Sequence, residues 1–314
     1  MAKHTQKKKK GKREASLRKI DYHKLSVYAA IAILLLLFFR THALGFFQDQ
    51  HGPETVKHQQ HTVPQDVKDA IDKQRKLNSL TEIPVYRVPI LMYHYIEHVT
   101  DVNDKTRILL NIQPHIFDEQ VKTLKEAGFT FLRNDELTQI LDGTKTLPEK
   151  PILLTFDDGY RDFYTEAYPI LKKYNAAGTQ YVITALLDHP NHLTTDQVKE
   201  LAQDSLIEIG GHTVSHDWLK DKTPEEVRFQ VTDSRRILEK LSGKKVVSFA
   251  YPYGAFDLSA TKVVEDSGYT SAVSTVPGIK HSTENRYFLY RLRPGERVGE
   301  ELLNWLSNDH FSAF

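Results

Sequence analysis

The chain has 314 residues, of which 40% are hydrophobic and 26% charged, enough apolar material to bury a core and far from a disordered composition. It contains no cysteine (Cys 0), which excludes disulfides, thiolate metal sites and cysteine nucleophiles, so any metal must be held by His, Asp or Glu. The formal net charge of +1 argues against a nucleic-acid binder, yet it hides an asymmetry: residues 1–24 carry ten Lys or Arg against Glu14 and Asp21, a net +8, leaving −7 for the rest.

Directly after this basic segment comes an uncharged apolar stretch, residues 25–39, followed by Arg40 and a second apolar patch, 43–47. A membrane span needs about 20 helical residues, and residues 25–47 reach that length as a transmembrane signal anchor with Arg40 snorkelling to the interface. A cleaved signal peptide is the competing reading, although no clear small-x-small cleavage site stands near Phe47. Because Lys and Arg accumulate on the cytoplasmic side, the chain is expected to be a single-pass protein of the cell membrane, with 1–24 inside and the remainder extracellular. The KKKKGKR run would suit nucleic acid if read alone, but the adjoining apolar run speaks against that, and no nucleic-acid partner is expected. Residues 48–84 are polar and are read as a stalk; within it, Val67, Ile71 and Leu77 mark a short helix over 64–80.

From 85 to 314 the texture changes. Short apolar runs at 88–92, 130–132, 152–156, 180–183, 207–209, 246–250, 271–274 and 287–292 predict buried strands. Between them, 116–127, 136–141, 163–174, 195–202, 224–241, 259–266 and 300–306 predict helices, with start signals such as Thr194 and Thr223. Such alternation predicts an α/β domain with a mostly parallel sheet closed into a barrel, whose chemistry belongs at the C-terminal ends of strands.

The motifs fall there. Asp157-Asp158-Gly159-Tyr160 follows the run 152–156, and two neighbouring acids can share a pocket only where the strand ends and the backbone turns. A lone DDG also describes a solvated turn. After the run 207–209 come His212 and His216, four apart, a spacing that on one helical turn places both imidazoles on the same side for paired metal ligation. One carboxylate and two imidazoles make an open three-ligand site, and a second, non-ligating Asp makes a general base for metal-activated water. The same ligand count also describes non-haem iron oxygenases. A third motif, Tyr251-Pro252-Tyr253-Gly254, is a tight turn at a strand end, able to aim a backbone N–H at a developing oxyanion.

TFDDGY, HTVSH and YPYG in this order resemble the polysaccharide deacetylases of carbohydrate esterase family 4, the NodB-homology domain. The resemblance spans residues 85–314 and implies a distorted (β/α) barrel of about seven strands. It implies removal of N-acetyl groups from N-acetylglucosamine polysaccharide with a divalent metal, usually zinc. By position, Asp157 is then the base, Asp158, His212 and His216 the metal ligands, and the Tyr253 N–H part of the oxyanion hole. Two features of many members are missing: an arginine in the third motif and a histidine on the C-terminal strand. Met92-Tyr93-His94 resembles the opening segment of the branch acting on poly-N-acetylglucosamine exopolysaccharide, where His94 would be the general acid. Arg291 or Arg293 could replace the missing arginine in orienting Asp157, surface salt bridging being the alternative reading, and Arg293 is assigned to the site. Peptidoglycan is the alternative substrate; a glycan-binding module without turnover is disfavoured by the intact Asp157.

Overall fold

The structure is a computed structural model that describes residues 60–77, 82–101 and 103–308. The expected cytoplasmic segment and membrane anchor, residues 1–47, lie outside these, and among the described residues no helix is long and apolar enough to cross a membrane.

Helix α1 (Gln65–Leu77) precedes the short strand β1 (Tyr86–Arg87) and β2 (Ile90–Tyr93). Helices α2 (Lys105–Leu110) and α3 (Pro114–Glu126) lead to β3 (Thr130–Leu132), α4 (Asn134–Leu141) and β4 (Pro151–Phe156). A π-helical turn, Phe163–Ala167, runs into α5 (Tyr168–Tyr174), then β5 (Gly178–Val182), α6 (Thr195–Gln203) and β6 (Ile207–Gly211). Helix α7 (Pro224–Arg228) continues through a second π-helical turn, Phe229–Asp233, into α8 (Ser234–Ser242). The order ends with β7 (Ser248–Ala250), α9 (Leu258–Asp266), β8 (Ser271–Val273), β9 (Lys280–His281) and α10 (Gly299–Ser307). Helix α2 has no counterpart among the predicted segments; it starts on Asp104, whose carboxylate accepts from Arg107 N at 2.9 Å.

Seven strands form one parallel sheet in the order β2-β4-β5-β6-β7-β8, with β3 alongside β4. Leu153 of β4 pairs with Ile90 on one edge and Leu132 on the other, and from Thr155 onward β5 replaces β3. Every residue of β4 is buried, the pattern of a parallel strand covered on both faces. The run 287–292 supplies the closure. Leu289 N donates to Ala272 O and Leu292 N to Ile90 O, both at 2.8 Å, so this segment bridges β8 to β2. Its first two residues finish a 3₁₀ turn, Thr283–Phe288, instead of joining the strand as predicted.

Inside the sheet's N-terminal end lies a buried carboxyl, Glu208, accepting from Asp135 N at 2.8 Å, from Thr179 Oγ1 at 3.2 Å and from Ser248 Oγ. Burial, with Asp135 nearby, pushes it up to about 7. A folded-state value raised above the unfolded one gives stability that is present at low pH and lost as pH rises through about 7. Glu208→Gln should therefore gain on the parent protein above that pH by roughly 1–3 kcal/mol, measured by urea unfolding across pH. A constant difference between the two proteins from pH 5 to 9 would count against an ionisable Glu208.

Part of the region expected as a stalk, 48–84, belongs to the folded unit. Val63 and Val67 are only 3% and 2% exposed within the main core. Asp66 Oδ2 accepts from Leu258 N at 2.8 Å, Arg75 pairs with Glu284 at 2.6 Å, and Gln60 N donates to Tyr253 O at 3.0 Å. The helix is legible from its apolar spacing; the surface it covers, on α9, is distant in sequence.

Candidate active site

The register between β2 and β4 pairs Tyr93 with Phe156, which sets His94 beside Asp157 at the C-terminal ends of both strands. Asp157 N donates to Tyr93 O at 3.0 Å. Asp158 and Gly159 then adopt φ of 73° and 75°, a left-handed turn that is unfavourable for an L residue and natural only for the glycine. That turn sends the two adjacent carboxyls to different partners.

Asp158 Oδ1 lies 3.1 Å from His212 Nε2 and 3.2 Å from His216 Nε2, and the ligand atoms of the three side chains all lie within 4.8 Å of one another. The histidines do not share a helical turn as their spacing predicts. They are joined by a loop in which Thr213 and His216 take φ of 66° and 62°, and His216 N donates to Thr213 Oγ1 at 2.8 Å. Gln230, on the second π-helical turn, accepts from both Val214 N and Ser215 N at 2.9 and 3.0 Å and so holds the loop. No local pattern singled out Gln230, because its partners lie an element away.

His212 Nδ1 stands 2.7 Å from Ala250 O, a carbonyl that can only accept, so the proton sits on Nδ1 and Nε2 presents a lone pair. His216 Nδ1 meets the Tyr253 hydroxyl at 3.1 Å. A carboxylate facing the His212 lone pair is repelled unless a cation or a proton lies between them. Burial opposes protonation of His212, yet its hydrogen bond to Asp158 and the charges of both aspartates push it above its ordinary value. Burial likewise opposes ionisation of Asp158, and the imidazoles of His216 and His212 hold it well below the usual carboxylate range. The donor set fits a divalent metal ion.

Asp157 is held from the closing segment. Arg291, 1% exposed, donates from Nη1 to Oδ1 and from Nη2 to Oδ2, both at 2.7 Å, and from Nε to Ser274 O at 2.7 Å. Burial would raise the carboxyl; the Arg291 guanidinium holds it below the usual range. This corrects the assignment of Arg293 to that task. Arg293 stands two residues further along the same segment. There burial lowers it to about 10 and its charge acts on His94 and both aspartates.

Tyr253 takes φ 57°, and its ring lies 4.6 Å from that of His216, so its side chain helps position His216. The next residue, Gly254, has φ 65°, and a Cβ there would lie 2.0 Å from Thr275 Oγ1.

A family model described as polysaccharide deacetylase matches residues 144–272, a stretch that includes both aspartates, both histidines and Tyr253 and omits His94 and Arg291. YxkH of Bacillus subtilis (strain 168), a relative carrying a polysaccharide deacetylase name, is 34% identical over 213 residues, 68% of this chain and 73% of that protein. The poly-beta-1,6-N-acetyl-D-glucosamine N-deacetylase of Staphylococcus aureus (strain MSSA476) is 26% identical over 200 residues, 60% of this chain and 69% of that one. Among solved structures, the Streptococcus pyogenes deacetylase PplD in complex with acetate aligns with a TM-score of 0.66 and 32% identity, covering 72% of this chain and 100% of that one.

Proposed function

The chain belongs to the polysaccharide deacetylase family, and from that membership we propose that it hydrolyses N-acetyl groups of poly-N-acetylglucosamine, using a divalent metal held by Asp158, His212 and His216. The observation that carries the reading is the Arg291-clamped carboxylate of Asp157 beside this three-ligand cluster. When bound, the metal would polarise the acetyl carbonyl and acidify a water.

The side chains do the rest. Asp157 remains ionised against Arg291 and takes the proton of the attacking water. The Tyr253 N–H faces the oxyanion that forms on the carbonyl oxygen. As the C–N bond breaks, the nitrogen needs a proton, because an amine anion is a very poor leaving group, and His94 at the end of β2 supplies it. Burial pushes His94 down to about 4, with Asp158 and Asp157 opposing and both arginines assisting, so it rests neutral, and the proton it passes to the nitrogen is drawn from solvent as negative charge develops beside it, while Asp157 later returns the water proton to solvent. His94→Ala should lower kcat by about 10²-fold with metal content unchanged. Loss of the metal together with activity would take His94 out of the acid role.

The choice of polymer rests on the similarity to the Staphylococcus aureus enzyme and on His94 as the acid at the end of β2. Acetate release from poly-β-1,6-N-acetylglucosamine and from peptidoglycan, assayed side by side, tests it. Faster release from the first is expected, and faster release from peptidoglycan would reassign the substrate.

A further inference from the structure

The ends of β2 and β4 also border a cavity of about 240 Å³ that none of the roles above uses. Tyr95 and Tyr160 form one wall, their rings stacked with centroids 3.8 Å apart, and the Asp158 carboxylate acts directly on the Tyr160 phenol, so cavity and ligand cluster share that wall. Pockets for drug-sized ligands run to about 300–1,000 Å³; this one has room for a single sugar unit.

Its charged lining is uneven. Arg107 is engaged by Glu97 at 3.1 Å and lies over the Tyr95 ring, and Arg161 donates to the carbonyls of His192 and His189. Asp162 is different. It is 9% exposed, its Oδ2 accepts from Ile96 N at 2.9 Å, and its Oδ1 has no hydrogen-bond partner among the described residues. Burial pushes this carboxyl up to about 7, against the Ile96 N–H and the charge of Arg107. Glu166, on the π-helical turn Phe163–Ala167, lines the same cavity and forms no ion pair among the described residues. Turns of this kind recur at functional sites. An aromatic face, with Glu97 already matched by Arg107 and with Asp162 and Glu166 in no ion pair among the described residues, describes a receptor for a sugar that carries a positive charge.

We propose that this cavity is a subsite for the sugar unit next to the one being deacetylated, and that it favours that unit as a glucosamine with a free ammonium group. The inference rests on the deacetylase reading above, since the product of one turnover would supply the occupant of this subsite for the next. The enzyme would then work preferentially beside units it has already deacetylated.

The test uses the full-length protein and two β-1,6-linked pentamers, one fully acetylated and one with a single glucosamine unit. The second should show a kcat/KM about fivefold higher, mainly through KM, the size of a partly exposed ion pair. Glu166→Gln and Asp162→Asn should each bring that ratio toward one; Asn retains an acceptor for Ile96 N, and Glu166→Gln stands alone if the buried variant does not fold. Equal kcat/KM on both pentamers, or a preference that survives Glu166→Gln, overturns the proposal. No acetate from either pentamer would remove the deacetylase reading instead. Calorimetry with a glucosamine trimer would still decide the subsite, which predicts binding weakened about fivefold by Glu166→Gln.

Discussion

Arg291→Met should destabilise the protein by about 3–5 kcal/mol and shift its activity to higher pH. The guanidinium is buried and makes two 2.7 Å bonds to Asp157, and removing one partner of such a pair leaves an uncompensated buried charge. In the parent protein Asp157 lies below its unfolded value, so its contribution is present at neutral pH and is lost only as pH falls through the depressed value. In the variant the largest influence, burial, is opposed only by His212 and His94, so the carboxyl rises and the sign reverses: the penalty appears where Asp157 has to ionise. Urea unfolding at pH 5 and 8 would show the variant losing most at pH 8, and the acid limb of its rate profile should move upward. Arg291→Lys should recover part of the stability but not the two-pronged geometry. Unchanged stability together with an unchanged acid limb would remove Arg291 from its role.

The second large effect is expected from the ligand cluster. His212→Ala deletes one of three donors from a position fixed by Ala250 O, and bound metal should fall below detection after dialysis against a chelator. A divalent metal lowers the pKa of its bound water toward about 7, so turnover should fall by more than about 10⁴-fold. His216→Ala should behave alike. Full metal occupancy in both variants, by elemental analysis, would refute the ligand set.

What the sequence made legible follows from distance along the chain. Asp157, Asp158, His212, His216 and Tyr253 each sit within a few residues of a strand end, and the alternation of elements places strand ends together. Where sequence reasoning failed, the missing information was non-local. Whether Arg291 or Arg293 meets Asp157 depends on the register of a closing segment held by isolated bridges at Leu289 and Leu292, which no apolar pattern encodes. The HxxxH spacing fits a helix, but left-handed Thr213 and His216 bring the imidazoles together by a loop, with their ring centroids 4.9 Å apart. Gln230 and the packing of α1 likewise depend on contacts between distant elements.

The central claim is that Asp157 is the base and takes no part in holding the metal. It is tested most directly by measuring acetate release and bound metal together in the parent protein and in Asp157→Asn, which keeps the side chain's shape. The account predicts full metal occupancy in both, with acetate release from poly-β-1,6-N-acetylglucosamine lowered about 10²–10⁴-fold in the variant. Parent-like acetate release by Asp157→Asn, or loss of its metal, would contradict it.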